Sequence, residues 1–140
     1  MDDESLVPII ESLKFNSTLD TLNLTNNCIG MESSIIIGES LKLNSNLKTL
    51  CLKDCSLTFK EIEPIFEGLK SNTSLTSIFL QENQILDDGM EIISECLKHN
   101  STLKFMSLWK IDITKTGAQA LSNALKVNNS LRFIVLTDNT

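Results

Sequence analysis

The chain has 140 residues and a formal net charge of -6, with 12 lysines and arginines against 18 aspartates and glutamates. That balance excludes a nucleic-acid backbone as the main partner, because phosphate binding needs clustered cations. The opening Met1-Asp2-Asp3-Glu4 lacks the basic start of a secretory signal, and no apolar run approaches the roughly 20 residues of a membrane span, so a cytoplasmic protein with no membrane partner is expected.

In chain order, five short helical patterns alternate with five strand patterns. Residues 5–14 (SLVPIIESLK) carry apolar side chains at helical spacing. The same pattern returns in residues 33–42, 61–70, 89–98 and 117–126. Between them, strand patterns begin at Leu19, Leu47, Leu75, Leu103 and Leu131, separated by 28 residues each time with no insertion. In each strand the fourth and sixth positions are apolar, as in Leu22/Leu24, Leu50/Leu52, Ile78/Leu80, Met106/Leu108 and Ile134/Leu136, which is the period of a strand with one buried face. A fixed period of this size is the signature of a repeat array, in which each unit contacts only its neighbours.

Several columns carry expectations about detail. Pro8 and Pro64 share a column and are expected in the first helical turn, where a missing N–H is tolerated. Thr116/Gln119 and Asp88/Glu91 read as capping boxes, while the first helix shows no recognisable cap. Lys14, Lys42, Lys70, Lys98 and Lys126 fall in last turns, where the helix dipole favours a cation. The small column Ser12, Ser40, Gly68, Cys96, Ala124 marks close approach of helix to strand layer. Asn16, Asn44, Asn72, Asn100 and Asn128 suit the left-handed turn that ends a helix. Asn16, Asn23, Asn72, Asn100 and Asn128 also satisfy N-x-[ST], and these matches are read as turn chemistry rather than glycosylation. The ninth strand column, Asn27, Cys55, Asn83, Ile111, Asn139, is a candidate ladder in which a buried Asn holds neighbouring turns in register. Ile111 has no polar atom to offer, so a turn amide or carbonyl there is expected to go unpaired at about 1–3 kcal/mol, unless Asp112 or a water substitutes.

Adjacent strands lie about 4.8 Å apart, whereas packed helices need about 8–10 Å. A stack of strand-helix units must therefore bend, with strands on the concave surface and helices on the convex one. The repeats are expected to form one domain over residues 1–140, about five units without clear caps. LxxLxLxxN/CxL followed by a GAxALxxALKxNxSL-like helix resembles the ribonuclease-inhibitor-like subclass of leucine-rich repeats. Such repeats occur in ribonuclease inhibitors, Ran GTPase-activating proteins and the sensor segments of NOD-like receptors. The resemblance implies an α/β leucine-rich repeat solenoid, a short right-handed horseshoe arc of parallel strands and convex helices, with protein recognition on the concave face and loops.

The residues between the buried leucines are unevenly distributed. Phe79, Phe105, Trp109, Phe133 and Val135 gather in the last three units, and aromatic residues with arginine are what interface hot spots favour. The reading is a protein partner that sets an apolar anchor against Trp109 and Phe79, with Lys104 and Arg132 pairing an acidic rim and Glu82 and Lys110 beside them. The competing reading is that Phe105 and Phe133 simply stack across strands. Cys28, Cys51, Cys55 and Cys96 lack C-x-x-C spacing and read as reduced thiols, with a Cys51–Cys55 disulfide the sharper alternative. There is no Gly-rich phosphate loop, no metal-ligand cluster, and no histidine beyond His99, which reads as a solvated loop residue. A non-catalytic scaffold or adaptor without cofactor or metal is therefore expected. The alternatives are a GTPase-activating protein, which the resemblance implies, and a self-associating fragment of a larger receptor-like or effector protein, for instance a homodimer through an uncovered strand at 131–136.

Overall fold

The computed structural model describes residues 1–139. Its strands are β1 (Thr21–Asn23), β2 (Thr49–Cys51), β3 (Ser77–Phe79), β4 (Phe105–Ser107) and β5 (Phe133–Val135). Its helices are α1 (Asp3–Glu11), extended by a 3-10 turn at Ser12–Lys14, α2 (Met31–Leu43), α3 (Phe59–Ser71), α4 (Leu86–His99) and α5 (Lys115–Leu125). The strands form one sheet in sequence order, and every pairing is parallel between residues 28 apart, as in Thr21, Thr49, Ser77, Phe105 and Phe133. This is an α/β fold of leucine-rich-repeat type.

The alternation written in the strands decides which face is covered. Leu50, Ile78 and Met106 are fully buried, each contributing about 1.5–3 kcal/mol of favourable transfer. Leu22 and Ile134, in the two edge strands, are only partly buried, since each has a neighbouring unit on one side. Helical Ile10, Ile37, Ile65, Phe66, Ile93 and Leu121 complete a single continuous core. No helix among the described residues is long and apolar enough to cross a membrane.

The small column faces the neighbouring helix rather than the strand layer. A Cβ on Gly68 would lie 2.2 Å from the Gly38 carbonyl oxygen, and one on Gly38 2.2 Å from that of Pro64. Ser40 likewise donates its hydroxyl to the Ile10 carbonyl on α1 at 3.2 Å. Pro8 and Pro64 stand inside their helices, beyond the first turn, because Asp2 and Thr58 cap these helices earlier than the apolar pattern indicates. Asp2 accepts the Ser5 amide, so the first helix does have a cap.

The expected capping boxes are displaced. The only box among the described residues joins Thr58 and Glu61. The cap residue of α4 is Ile85, with no side-chain bond, and α5 is capped by Thr114. A second device works across units: Asp87, in the first turn of α4, accepts the Thr114 and Gly117 amides, both at 2.9 Å, and the Thr114 hydroxyl at 2.6 Å. Its carboxyl is held below the ordinary value first by the Thr114 hydroxyl. Asp3, in the same column, accepts the amides of Gly30 and Ser33 at the start of α2. Each carboxylate thus sits on the positive end of the next helix.

Two asparagine columns stitch the units together. Asn44, Asn72 and Asn100 are extended, with φ from -69 to -77, not left-handed. They end their helices through side chains. Asn72 Nδ2 donates to the Leu41 and Asn44 carbonyls at 2.7 and 3.2 Å, and its Oδ1 accepts the Ser74 and Leu75 amides at 3.0 and 2.8 Å. Asn44, Asn100 and Asn128 repeat the arrangement toward their own preceding units. This ladder is unbroken, and it consumes the amide groups that glycosylation of Asn72 and Asn100 would need.

The other column alternates. Asn83 Oδ1 accepts the Cys55 and Leu57 amides, and Asn139 Oδ1 accepts those of Ile111 and Ile113. Before these asparagines the preceding turns place Ser56 and Asp112 at φ 58 and 60. Before Cys55 and Ile111 neither Cys28 nor Gln84 has a positive φ; instead backbone carbonyls take over, Cys55 receiving the Ile29 amide and Ile111 that of Leu86, and Leu86 carries the left-handed conformation at φ 58. Ile111 therefore does not orphan the carbonyls of its column, since Asn83 donates to Leu80 and Asn139 to Leu108. The amides of Asn83 and Ile85 lose the side-chain acceptor, and the turn rearranges around that loss. Asn27 Oδ1 receives the Met1 ammonium group.

Candidate functional site

The exposed strand positions define one open face of the sheet. Unit by unit it changes character: Thr21 and Asn23 are polar and exposed, Thr49 and Cys51 half-buried, and from β3 onward aromatic rings take over. Phe79 and Phe105 approach to 4.9 Å between ring centroids, tilted by 39°. Phe105 and Phe133, paired in register, stand 5.5 Å apart, tilted by 37°. The three rings form one continuous row, diagonal between β3 and β4 and straight across between β4 and β5. Both geometries fall within the range of favourable aromatic pairs. Ser107, in register with Phe79 and Val135 and on the same face as the row, is buried. Phe133 remains 61% exposed, so the row ends in a ring open to solvent.

Trp109 belongs to a different cluster. It follows β4, two positions beyond Ser107, and its indole N–H donates to Asp138 Oδ2 at 2.6 Å. The Lys53 ammonium lies 5.7 Å from the ring centroid and pairs with Glu82 at 2.9 Å. The ring's polar edge and one face are thus engaged within the chain, in a cation–π arrangement of modest strength. The structure separates the two halves of the expected anchor: Phe79 joins the aromatic row, whereas Trp109 is tied to Lys53 and Asp138. The sequence period carries a signal for this contact: Asp138 is 29 residues beyond Trp109, one unit and one residue on.

Five residues at the end of the strands, Asn26, Asp54, Glu82, Lys110 and Asp138, all take the left-handed conformation, with φ between 49 and 59. That column turns the chain out of the sheet and sets Glu82 and Lys110 on the rim. At the opposite end, Lys104 and Arg132 precede Phe105 and Phe133. No carboxylate lies within ion-pair distance of either cation among the described residues.

All four cysteines are free. Burial raises the Cys51 thiol, and it raises Cys55 to about 11 and Cys96 to about 12. Thiolates are thereby disfavoured on the open face and in the core alike. His99 is the last residue of α4 rather than a loop residue, and its Nε2 lies 3.1 Å from Glu95. No group of three or more metal-ligating side chains exists among the described residues.

Comparison with known proteins places this geometry. No protein-family model matches the chain, and no curated protein matches it by sequence. Among solved structures, the fold is similar to that of leiomodin-1 actin-binding site 2, with a TM-score of 0.86 and 24% identity over 94% of this chain and 78% of that one. It is also similar to the tropomodulin C-terminal domain from Caenorhabditis elegans, with a TM-score of 0.78 and 12% identity over 100% of this chain and 85% of that one. At these identities the likeness concerns the fold.

Proposed function

We propose that the chain is a protein-recognition module, a short ribonuclease-inhibitor-like leucine-rich repeat arc that binds a cytoplasmic protein through its concave strand face without turning it over. The observation that carries this reading is the continuous row Phe79, Phe105, Phe133, ending in an exposed ring beside Lys104 and Arg132, which have no ion-pair partner among the described residues. Large aromatic side chains next to arginine supply most of the energy at interface centres. The actin-binding site named for the leiomodin-1 structure makes actin the first purified candidate.

The test is a quantitative pull-down from cytosolic extract, with purified actin titrated in parallel. It compares the native chain with Phe105→Ser/Phe133→Ser and with Trp109→Ala. Removing the two phenylalanines is expected to weaken capture at least tenfold, about 1.4 kcal/mol. Trp109→Ala is expected to have a smaller effect, because its ring already has partners within the chain. Capture unaffected by the double serine variant rejects the concave-face reading.

Self-association is a second reading. A groove between α5 and β5 is lined by Ile113, Ala118, Leu121, Leu125 and Leu136, and among the described residues β5 pairs with β4 alone, which leaves strand hydrogen-bonding groups available to a second copy. Sedimentation is expected to show mass rising with concentration. A constant monomer mass removes this reading.

A further inference from the structure

The two edges of the open face, before and beyond the strands, differ in charge. Beyond the strands, the rim carries both signs, with Lys53 and Glu82 paired to each other. Before the strands, Lys104 and Arg132 stand side by side, since the Arg132 amide bonds the Lys104 carbonyl at 2.9 Å. Lys104 also lines a hollow in the loops between the fourth and fifth units, together with Lys98, His99, Ser101, Val127 and Ser130. Lys98 and His99 are engaged by Glu95 at 2.7 and 3.1 Å, whereas Lys104 has no ion-pair partner among the described residues. In a chain of net charge -6, this leaves a local positive strip from Arg132 through Lys104 to the hollow, bordered by exposed Phe133 on one side and exposed Val127 on the other.

Resting on the concave-face reading, we propose that the partner segment is acidic: it seats an apolar side chain on Phe105 and Phe133 and leads its carboxylates over Lys104 and Arg132 into the loop hollow. Charge complementarity of this kind fixes the direction of a bound segment and speeds its encounter. The aromatic row supplies the attachment and the strip supplies the polarity. A basic or neutral segment with the same apolar residue gains only the first.

The experiment uses two fluorescent peptides of equal length, Leu-Phe-Asp-Glu-Asp and its amide counterpart Leu-Phe-Asn-Gln-Asn. Each is titrated into the full chain by anisotropy and followed by amide chemical shifts at millimolar peptide. The acidic peptide is expected to bind at least tenfold tighter than the amide one at low salt, with the advantage shrinking as salt is raised. Lys104→Glu/Arg132→Glu is expected to abolish the advantage, while Lys48→Glu, in the same column two strands away, leaves it in place. Thermal unfolding of each variant confirms that the fold is retained. Equal binding of the two peptides, or no shift from the acidic peptide, overturns the acidic-segment proposal. If both peptides bind equally and Phe105→Ser/Phe133→Ser removes both, the concave-face reading stands while the charge proposal falls. Shifts confined to the helices overturn both.

Discussion

Replacing Asn72 with alanine is expected to cost about 3–5 kcal/mol of unfolding free energy. Asn72 is 4% exposed and serves both units it touches: its Nδ2 reaches back to Leu41 and Asn44, and its Oδ1 closes over Ser74 and Leu75. Alanine removes these four bonds together with the contacts to the Ser74 hydroxyl. The Asn44 carbonyl keeps the Ser74 hydroxyl, but the Leu41 carbonyl and the amides of Ser74 and Leu75 lose their partner in a buried setting. Each such group costs about 1–3 kcal/mol, and partial relaxation brings the sum down to the stated range. Asn16→Ala is the matched control. Its Oδ1 serves the Thr18 and Leu19 amides in an exposed setting, so a loss of about 1 kcal/mol is expected. Urea unfolding with equal slopes reads both values. A cost for Asn72→Ala no greater than that for Asn16→Ala refutes the assignment of this column as the principal tie between units.

Gly38→Ala carries the second largest effect, and its sign is the informative part. In an exposed helix interior, glycine to alanine stabilises by about 1 kcal/mol. Here the new methyl group meets the Pro64 carbonyl oxygen at 2.2 Å and its carbon at 2.9 Å, and both are backbone atoms that no rotamer change moves aside. Helices α2 and α3 must separate, and the Gly68 contact with Gly38 opens with them. Overpacking of this kind costs about 1–3 kcal/mol and exceeds the propensity gain, so net destabilisation of about 1–2 kcal/mol is expected. A rise in the urea midpoint refutes it. Gly89→Ala makes a useful comparison, since the atom its Cβ would meet at 2.4 Å belongs to a side chain, the Ile85 methyl, rather than to the backbone of a neighbouring helix.

Much of the fold was legible because the strand columns repeat without insertion: Leu50, Ile78 and Met106 declare the buried face, and the pairing of Phe105 with Phe133 follows from the period alone. Features that depend on contacts between units were harder to read. Asn72 looks like a left-handed helix terminator in isolation, yet the neighbouring carbonyls of Leu41 and Asn44 make an extended backbone with an inward side chain the better solution. Asp87 lies in the first turn of its own helix and caps the next one, a contact no pattern within a single unit displays. Gly68 was recognised as a place of close approach, but only the fold shows that Gly38 is what approaches. On the open face, the gathering of aromatic residues was visible. Its division into a row led by Phe105 and a separate cluster around Trp109 was not, because the ring of Trp109 is claimed by Lys53, two units back, and Asp138, one unit ahead.

The turns that follow the strands are less uniform than the strands themselves. Ser56 and Asp112 share a left-handed φ of 58 and 60 and face asparagines one unit on, whereas the turns that face Cys55 and Ile111 differ from both and from each other: the first bonds through the Ile29 amide with Gly30 at φ -94, the second through the Leu86 amide with Leu86 at φ 58. Removing the unit that carries Asn83 would set the Ser56 turn, shaped for an asparagine, against Ile111. Excising that unit together with the next would set it against Asn139 and restore the match. The Ser56 turn can thus be rejoined only to a unit that brings an asparagine.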